Sequence, residues 1–214
     1  MPTVNLPNRV AILASGPDSE TLLQNIITPD LSALCDDEAR PGALLTPQGK
    51  ILFDFVISRV ESDTFRLDCE REVAADFIKR LTLYRLRAKV EFSLSDHEIA
   101  VSWDGDPSLS RGAVADMRFP AEIAVRRHYG KVPAADATKE QWDQLRIRHG
   151  IAEGGADFAP GDAFPHDVLF DQNGGVGLTK GCYVGQEVVS RMHHRGTARR
   201  RLVIVEGETS LPAT

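Results

Sequence analysis

Residues 43–84, ALLTPQGKILFDFVISRVESDTFRLDCEREVAADFIKRLTLY, decide the fold class. The apolar runs 43–46 and 51–60 flank Pro47-Gln48-Gly49-Lys50, a hairpin-like connection between two strands. Phe65, Leu67 and Cys69 then alternate with polar residues, as a half-buried strand does. From Val73 the period changes. Val73, Phe77, Ile78, Leu81 and Tyr84 recur at three- and four-residue steps, the apolar stripe of a helix. Residues 88–94 and 99–103 return to strand character. Three strands, a helix and further strands make a compact α+β unit, with the helix on one face of an antiparallel sheet.

Outward from this unit, residues 10–14 (VAILA) read as a strand stopped by Ser15-Gly16-Pro17. A helix capped by Asp18 or Ser19 and carrying Leu22, Leu23, Ile26 and Ile27 follows, ending at Thr28-Pro29. Residues 36–42 read as a polar loop, 105–112 as a boundary loop, and 113–119 and 123–128 as short strands. A helix over 138–149 opens with Thr138 and Gln141 in capping-box spacing. Its inner face carries Trp142 and Leu145, and Gly150 ends it. Residues 152–181 are rich in Gly, Pro and Asp and read as a long irregular stretch, which is usually functional or mobile. A short helix over 184–194 and a strand over 202–205 complete the reading.

The 214 residues, 42% hydrophobic and 26% charged, suffice for one large core or two small ones. Ordinary Gly and Pro contents exclude collagen-like and disordered classes. Cys35, Cys69 and Cys182 include no CxxC spacing, so no dedicated metal cage and no disulfide framework is written. Their odd number suits a reducing compartment. Residues 1–9 lack an apolar core for a signal peptide, and no apolar run is long enough to span a bilayer. A soluble, cytoplasmic protein without membrane contact is expected. Cys35 and Cys69 are expected in or near the core.

Four features can carry chemistry. The first is Cys182. Gly174, Gly175, Gly177, Gly181 and Gly185 precede or surround it at a helix start, with Lys180 two residues earlier. Free N–H groups at such a start attract anions and activate a thiol. The alternative is a flexible turn holding an inert cysteine. The second is charge. Between positions 180 and 201, six basic residues and one acidic one give +5 within a chain of net −6, leaving −11 elsewhere. This suits an anion site or an RNA backbone. It also suits a solvated edge. The third is Asp54, a carboxylate inside the apolar run 51–57. It shares a face with Leu52 and Val56 and needs either a partner or a ligand if buried. The alternative, which the residues alone slightly favour, is simple exposure at a sheet edge. The fourth is Arg146, with Arg148, at the end of the Trp142 helix. It complements the helix dipole or clamps a carboxylate.

Residues 180–187, KGCYVGQE, followed by Arg191 and Arg195-Gly196, resemble the signature of the YgfZ folate-binding family. Residues 45–51 (LTPQGKI), 84–90 (YRLRAKV), Trp142 and 145–150 (LRIRHG) are similar to further family segments, in order. The similarity runs from about Leu13 to the C-terminus. The family is related to the aminomethyltransferase (T-protein) of glycine cleavage. The resemblance implies α+β subdomains around a folate pocket. A discontinuous body spans residues 1–38 and 105–200, and a ferredoxin-like subdomain spans 39–104. Residues 201–214 would start a C-terminal β-barrel that is largely absent.

The resemblance also implies function. The expected activity is tetrahydrofolate binding in support of iron–sulfur cluster assembly or repair, and in bacteria tRNA modification. Iron–sulfur client or assembly proteins are the expected partners. The alternatives are a folate-dependent aminomethyltransferase and an RNA- or protein-binding adaptor that uses the patch from Arg191 to Arg201. Cys182 is the family cysteine and the expected reactive residue. Lys180, Gly181, Tyr183, Gly185, Gln186, Glu187 and Arg191 belong to the signature and are expected at the folate. Asp54 resembles the second acidic residue of the T-protein's Gly-x-x-x-Asp-Asp segment, with Phe53 in place of the first. Arg146 matches the arginine of that enzyme's Leu-Arg segment.

Overall fold

A computed structural model describes residues 1–106 and 112–207. Part of the expected boundary loop, 107–111, and residues 208–214 of the expected barrel start lie outside the described residues. The strands are β1 (Thr3–Asn5), β2 (Arg9–Ser15), β3 (Glu38–Leu45), β4 (Ile51–Glu61), β5 (Thr64–Glu70), β6 (Glu91–Leu94), β7 (Ile99–Ser102), β8 (Val114–Asp116) and β9 (Arg126–Tyr129). The helices are α1 (Ser19–Gln24), α2 (Ala74–Arg85), α3 (Lys139–Arg148) and α4 (Gln186–Arg195).

Among the described residues the strands form one sheet in the order β1-β7-β9-β8-β3-β4-β5-β2-β6. The β3–β8 pairing is parallel and the others are antiparallel. The mixed α+β class agrees with the sequence reading. The β3–β4 hairpin closes through the Lys50 carbonyl, which accepts from Thr46 N–H at 2.8 Å. Gly49 takes φ +81° there, a conformation that suits a residue without Cβ.

α2 lies on one face of β2, β4 and β5. Its Phe77 stacks on Phe53 at 4.7 Å and on Phe55 at 5.4 Å between ring centroids. Burying one such ring contributes about 2–3 kcal/mol. A second core gathers Trp142 of α3 with Trp103, Phe119, Val101 and Leu6. The Thr138–Gln141 capping box forms, with both reciprocal hydrogen bonds. A third core joins the hairpin base (Ala43, Leu45, Ile51) to Val168, Phe170 and Val176 of the irregular stretch and to Tyr183 and Val189.

Several local expectations are corrected. Residues 38–42 are strand rather than loop. The buried positions there are Ala39, Pro41 and Gly42, too small to register as an apolar alternation. Residues 202–205 form no strand, because no sheet edge meets them and they stay exposed. α1 ends at Gln24, before Ile26, and the Asp18 carboxylate accepts from Lys89 N–H at 2.7 Å instead of capping the helix. Residues 121–123 form a 3₁₀ turn, which delays β9 to Arg126. Cys69 is buried, but Cys35 is exposed rather than near the core.

Candidate functional site

β4 carries Phe53 and Phe55 toward α2, so alternation turns Leu52 and Asp54 to the opposite face. There Asp54 borders a cavity of about 220 Å³ shared with Leu52, Phe53, Glu70, Gly154 and Phe158. Its carboxylate accepts from Gly154 N–H at 3.1 Å. A methyl group on Gly154 would overlap that carboxylate, so this approach requires glycine. Burial pushes the Asp54 carboxyl above its ordinary 3.8, against the Gly154 hydrogen bond and the charge of Arg9, and Glu153 adds to the rise. Glu70 is also raised, chiefly by burial. The arrangement is an apolar-walled cavity bordered by two carboxyl groups whose pKa burial raises. It can accept from N–H groups of a flat polar ring.

Behind Asp54 runs a buried ionic chain that the sequence did not disclose. Arg9 Nε pairs with Asp68 at 2.6 Å, and Arg127 Nη1 pairs with the other Asp68 oxygen. Arg127 Nε reaches Asp116 at 2.8 Å, and Arg118 grips the same carboxylate at 2.8 and 2.9 Å. Arg118 Nη1 meets Glu153 at 3.3 Å. The reading of β5 as half-buried holds, with Phe65, Leu67 and Cys69 buried and Thr64, Arg66 and Glu70 partly exposed. Asp68 is the exception, a carboxylate fully covered on the otherwise half-open face. The signal in the sequence is slight: Arg9, Asp68, Asp116 and Arg127 stand singly on β2, β5, β8 and β9, and on β5 and β9 they stand among other charged residues.

Arg146 ends this chain. It pairs with Asp143 at 2.8 Å and Asp157 at 2.5 Å, and lies 4.0 Å from Glu153. Asp157 also accepts from Glu153 N–H at 2.8 Å, which fixes the 153–157 turn next to Asp54. Arg146 thus reaches the Asp54 cavity only through this turn.

The signature loop stands elsewhere. Lys180 is buried, and its Nζ donates to the Ile27 and Pro29 carbonyls at 2.8 and 2.9 Å. Burial lowers its ammonium to about 8, and Asp30 partly offsets the drop. Gly181 and Cys182 are exposed; Tyr183 is buried, and its phenol is raised to about 12 by burial. Gly185, at φ +78°, is the N-cap of α4, so Cys182 lies ahead of the helix rather than in its first turn. Gln186 is half-buried; Glu187 and Arg191 are exposed. Gly185 packs on the hairpin turn, where a Cβ would fall 2.6 Å from the Thr46 carbonyl oxygen. Segments 45–51 and 180–187, both singled out in the sequence, therefore meet. None of the signature residues lines the Asp54 cavity. Arg191 lines a separate groove, and Arg146 a third concavity. Among the described residues no three His, Cys, Asp or Glu side chains are placed to hold a metal ion.

A solved structure of glycine cleavage system aminomethyltransferase T from Bartonella henselae matches with TM-score 0.65 over 90% of this chain and 63% of the other, at 13% identity. The fold is that of this aminomethyltransferase. No family profile matches the chain. Curated relatives named as iron–sulfur cluster assembly factor IBA57 homologues, mitochondrial, include one from Mycosarcoma maydis. It is 29% identical over 92% of this chain and 55% of its own length. The Chaetomium globosum homologue is 30% identical over 92% and 54%. The Homo sapiens factor is 29% identical over 98% and 67%. The chain spans about half the length of the first of these relatives. The cytoplasmic location expected from composition is overturned, because these relatives are named as mitochondrial. Unpaired cysteines indicate a reducing environment and do not tell one such compartment from another. Among the described residues no helix is long and apolar enough to cross a membrane.

Proposed function

We propose that the chain is a reduced-folate-binding part of an iron–sulfur cluster assembly factor. The relatives' names support the second half. The first half rests on one observation: the Asp54 carboxyl lines an apolar-walled cavity with its acidity suppressed. The cavity volume fits a pterin-sized head and not a whole folate, whose glutamate tail stays outside. Asp54 accepts from the ring's N–H groups, Phe158 and Leu52 cover its faces, and Arg146 holds the 153–157 turn. In this reading residues 39–104 are a ferredoxin-like subdomain set into a body of 1–38 and 105–200. Cys182, exposed ahead of α4, offers its thiolate to a cluster or persulfide in transit. Kinship with the YgfZ folate-binding family belongs to the same proposal.

Calorimetric titration with tetrahydrofolate tests the folate half. Binding is expected in the micromolar range, strengthening as pH rises through the elevated Asp54 pKa, because the charged form is the better acceptor. Asp54→Asn should weaken it at least about tenfold, the loss typical of one charge-assisted hydrogen bond. Absence of binding below millimolar concentrations, or an unchanged Asp54→Asn, sinks the reading.

A further inference from the structure

Arg191 lines a groove of about 490 Å³ between α4 and the 162–167 segment. Its floor is apolar: Phe164, Val188 and Met192. Positions 188, 191, 192 and 195 share one face of α4, so Arg195 extends the rim one turn beyond Arg191. Arg199 and Arg200 close the other side.

The rim charges differ in kind. Arg200 is matched by Asp167 at 3.0 Å, and its neighbour Arg201 by Asp171 at 2.8 Å. Arg191, Arg195 and Arg199 have no acidic partner among the described residues, although the chain as a whole is net −6. Three uncompensated cations therefore surround an open apolar floor. The fully buried Arg9 and Arg127, by contrast, are each paired with a carboxylate.

We propose that this groove receives an acidic segment of a partner protein, which inserts one large apolar side chain onto Phe164, Val188 and Met192 and sets carboxylates against Arg191, Arg195 and Arg199. A methionine-containing floor adapts to several side-chain shapes, and arginine forks suit carboxylates. An RNA strand fits less well. Single-strand binding uses open aromatic faces. Phe164 is the groove's one aromatic residue, and Lys50 Nζ already stands over its ring at 5.8 Å. The inference stands on the groove alone and does not depend on folate binding at Asp54.

The test uses the full chain and a fluorescein-labelled peptide of ~12 residues, built from Asp, Glu and Gly around a central Leu-Phe pair. Fluorescence anisotropy should give a Kd below about 100 μM. Replacing Leu-Phe by Ser-Ser should weaken binding at least about fivefold, and Arg191→Glu with Arg199→Glu at least about tenfold. Both arginines are exposed, so circular dichroism of that variant should match the parent. An oligouridylate of equal charge should bind more weakly than the peptide. The proposal is overturned by no peptide binding, by indifference to the Ser-Ser change, or by oligouridylate binding as tightly as the peptide.

Discussion

Lys180 shows how a single residue changes meaning once its surroundings are known. Next to Cys182 in sequence, it reads as a positive charge for a thiolate or an anion. In the fold its Nζ points the other way, to the carbonyls of Ile27 and Pro29, about 150 positions earlier. No local pattern can disclose a contact of that separation. Asp54 was more legible, because a carboxylate inside an apolar run needs a partner or a ligand unless it lies at an exposed edge. Its partner, Gly154, was not legible. Lys180→Met should cost about 2–4 kcal/mol in urea unfolding at pH 7, since both carbonyls lose a donor. The ammonium also has a pH signature. Its folded value is about 8 against an ordinary 10.5, so between these values the unfolded chain binds the extra proton. Stability of the parent should rise as pH climbs from about 8 to 10.5, and Lys180→Met should lose that rise. Equal slopes for the two proteins would remove the buried charge from the account.

At the scale of elements, period and caps carried most of the information. α2 was written by its stripe, α3 by its capping box, and the β3–β4 hairpin by residues 47–50. Elements whose buried residues are small escaped, as the start of β3 shows with Ala39 and Pro41. Apolar content without a neighbour misled, as at residues 202–205. The junction between the hairpin turn and α4 lies between these cases. Gly49 and Gly185 were visible as glycines, but their mutual packing was not. A Cβ on Gly49 would meet Val188 at 2.7 Å, and one on Gly185 would meet Thr46 and Gly49. Gly185→Ala adds a left-handed backbone penalty to that overlap, and should destabilise by at least about 1–3 kcal/mol. It should also raise amide exchange in residues 46–50 and at the start of α4 together. Exchange confined to α4 would mean that the turn and the helix are not coupled.

Across the whole molecule, the ionic chain from Arg9 to Arg146 ties strands from both halves of the sheet to the turn that presents Gly154 to Asp54. Burial opposes ionisation of Glu153, yet Arg9, Arg118, Arg127 and Arg146 outweigh it and bring the carboxyl down from 4.5 to about 2. Asp116 is held well below the carboxylate range by Arg118 and Arg127, again against burial. A depressed carboxyl means that the unfolded state takes up protons first. The stabilisation is therefore complete above about pH 4.5 and is lost as pH falls toward 2. Glu153→Gln leaves the four arginines short of one countercharge in a buried setting, a change that costs about 3–5 kcal/mol. The gap between parent and variant should be widest near neutral pH and should narrow steadily from pH 4.5 downward, as the parent's unfolded chain takes up the proton that its folded carboxylate resists until about pH 2. Urea unfolding at half-unit steps from pH 6 to 3 resolves this. Parallel curves across the range would show that Glu153 stabilises the turn by shape alone. Converging curves place its charge at the end of a continuous electrostatic support, by which strands distant in sequence hold the Asp54 cavity in form.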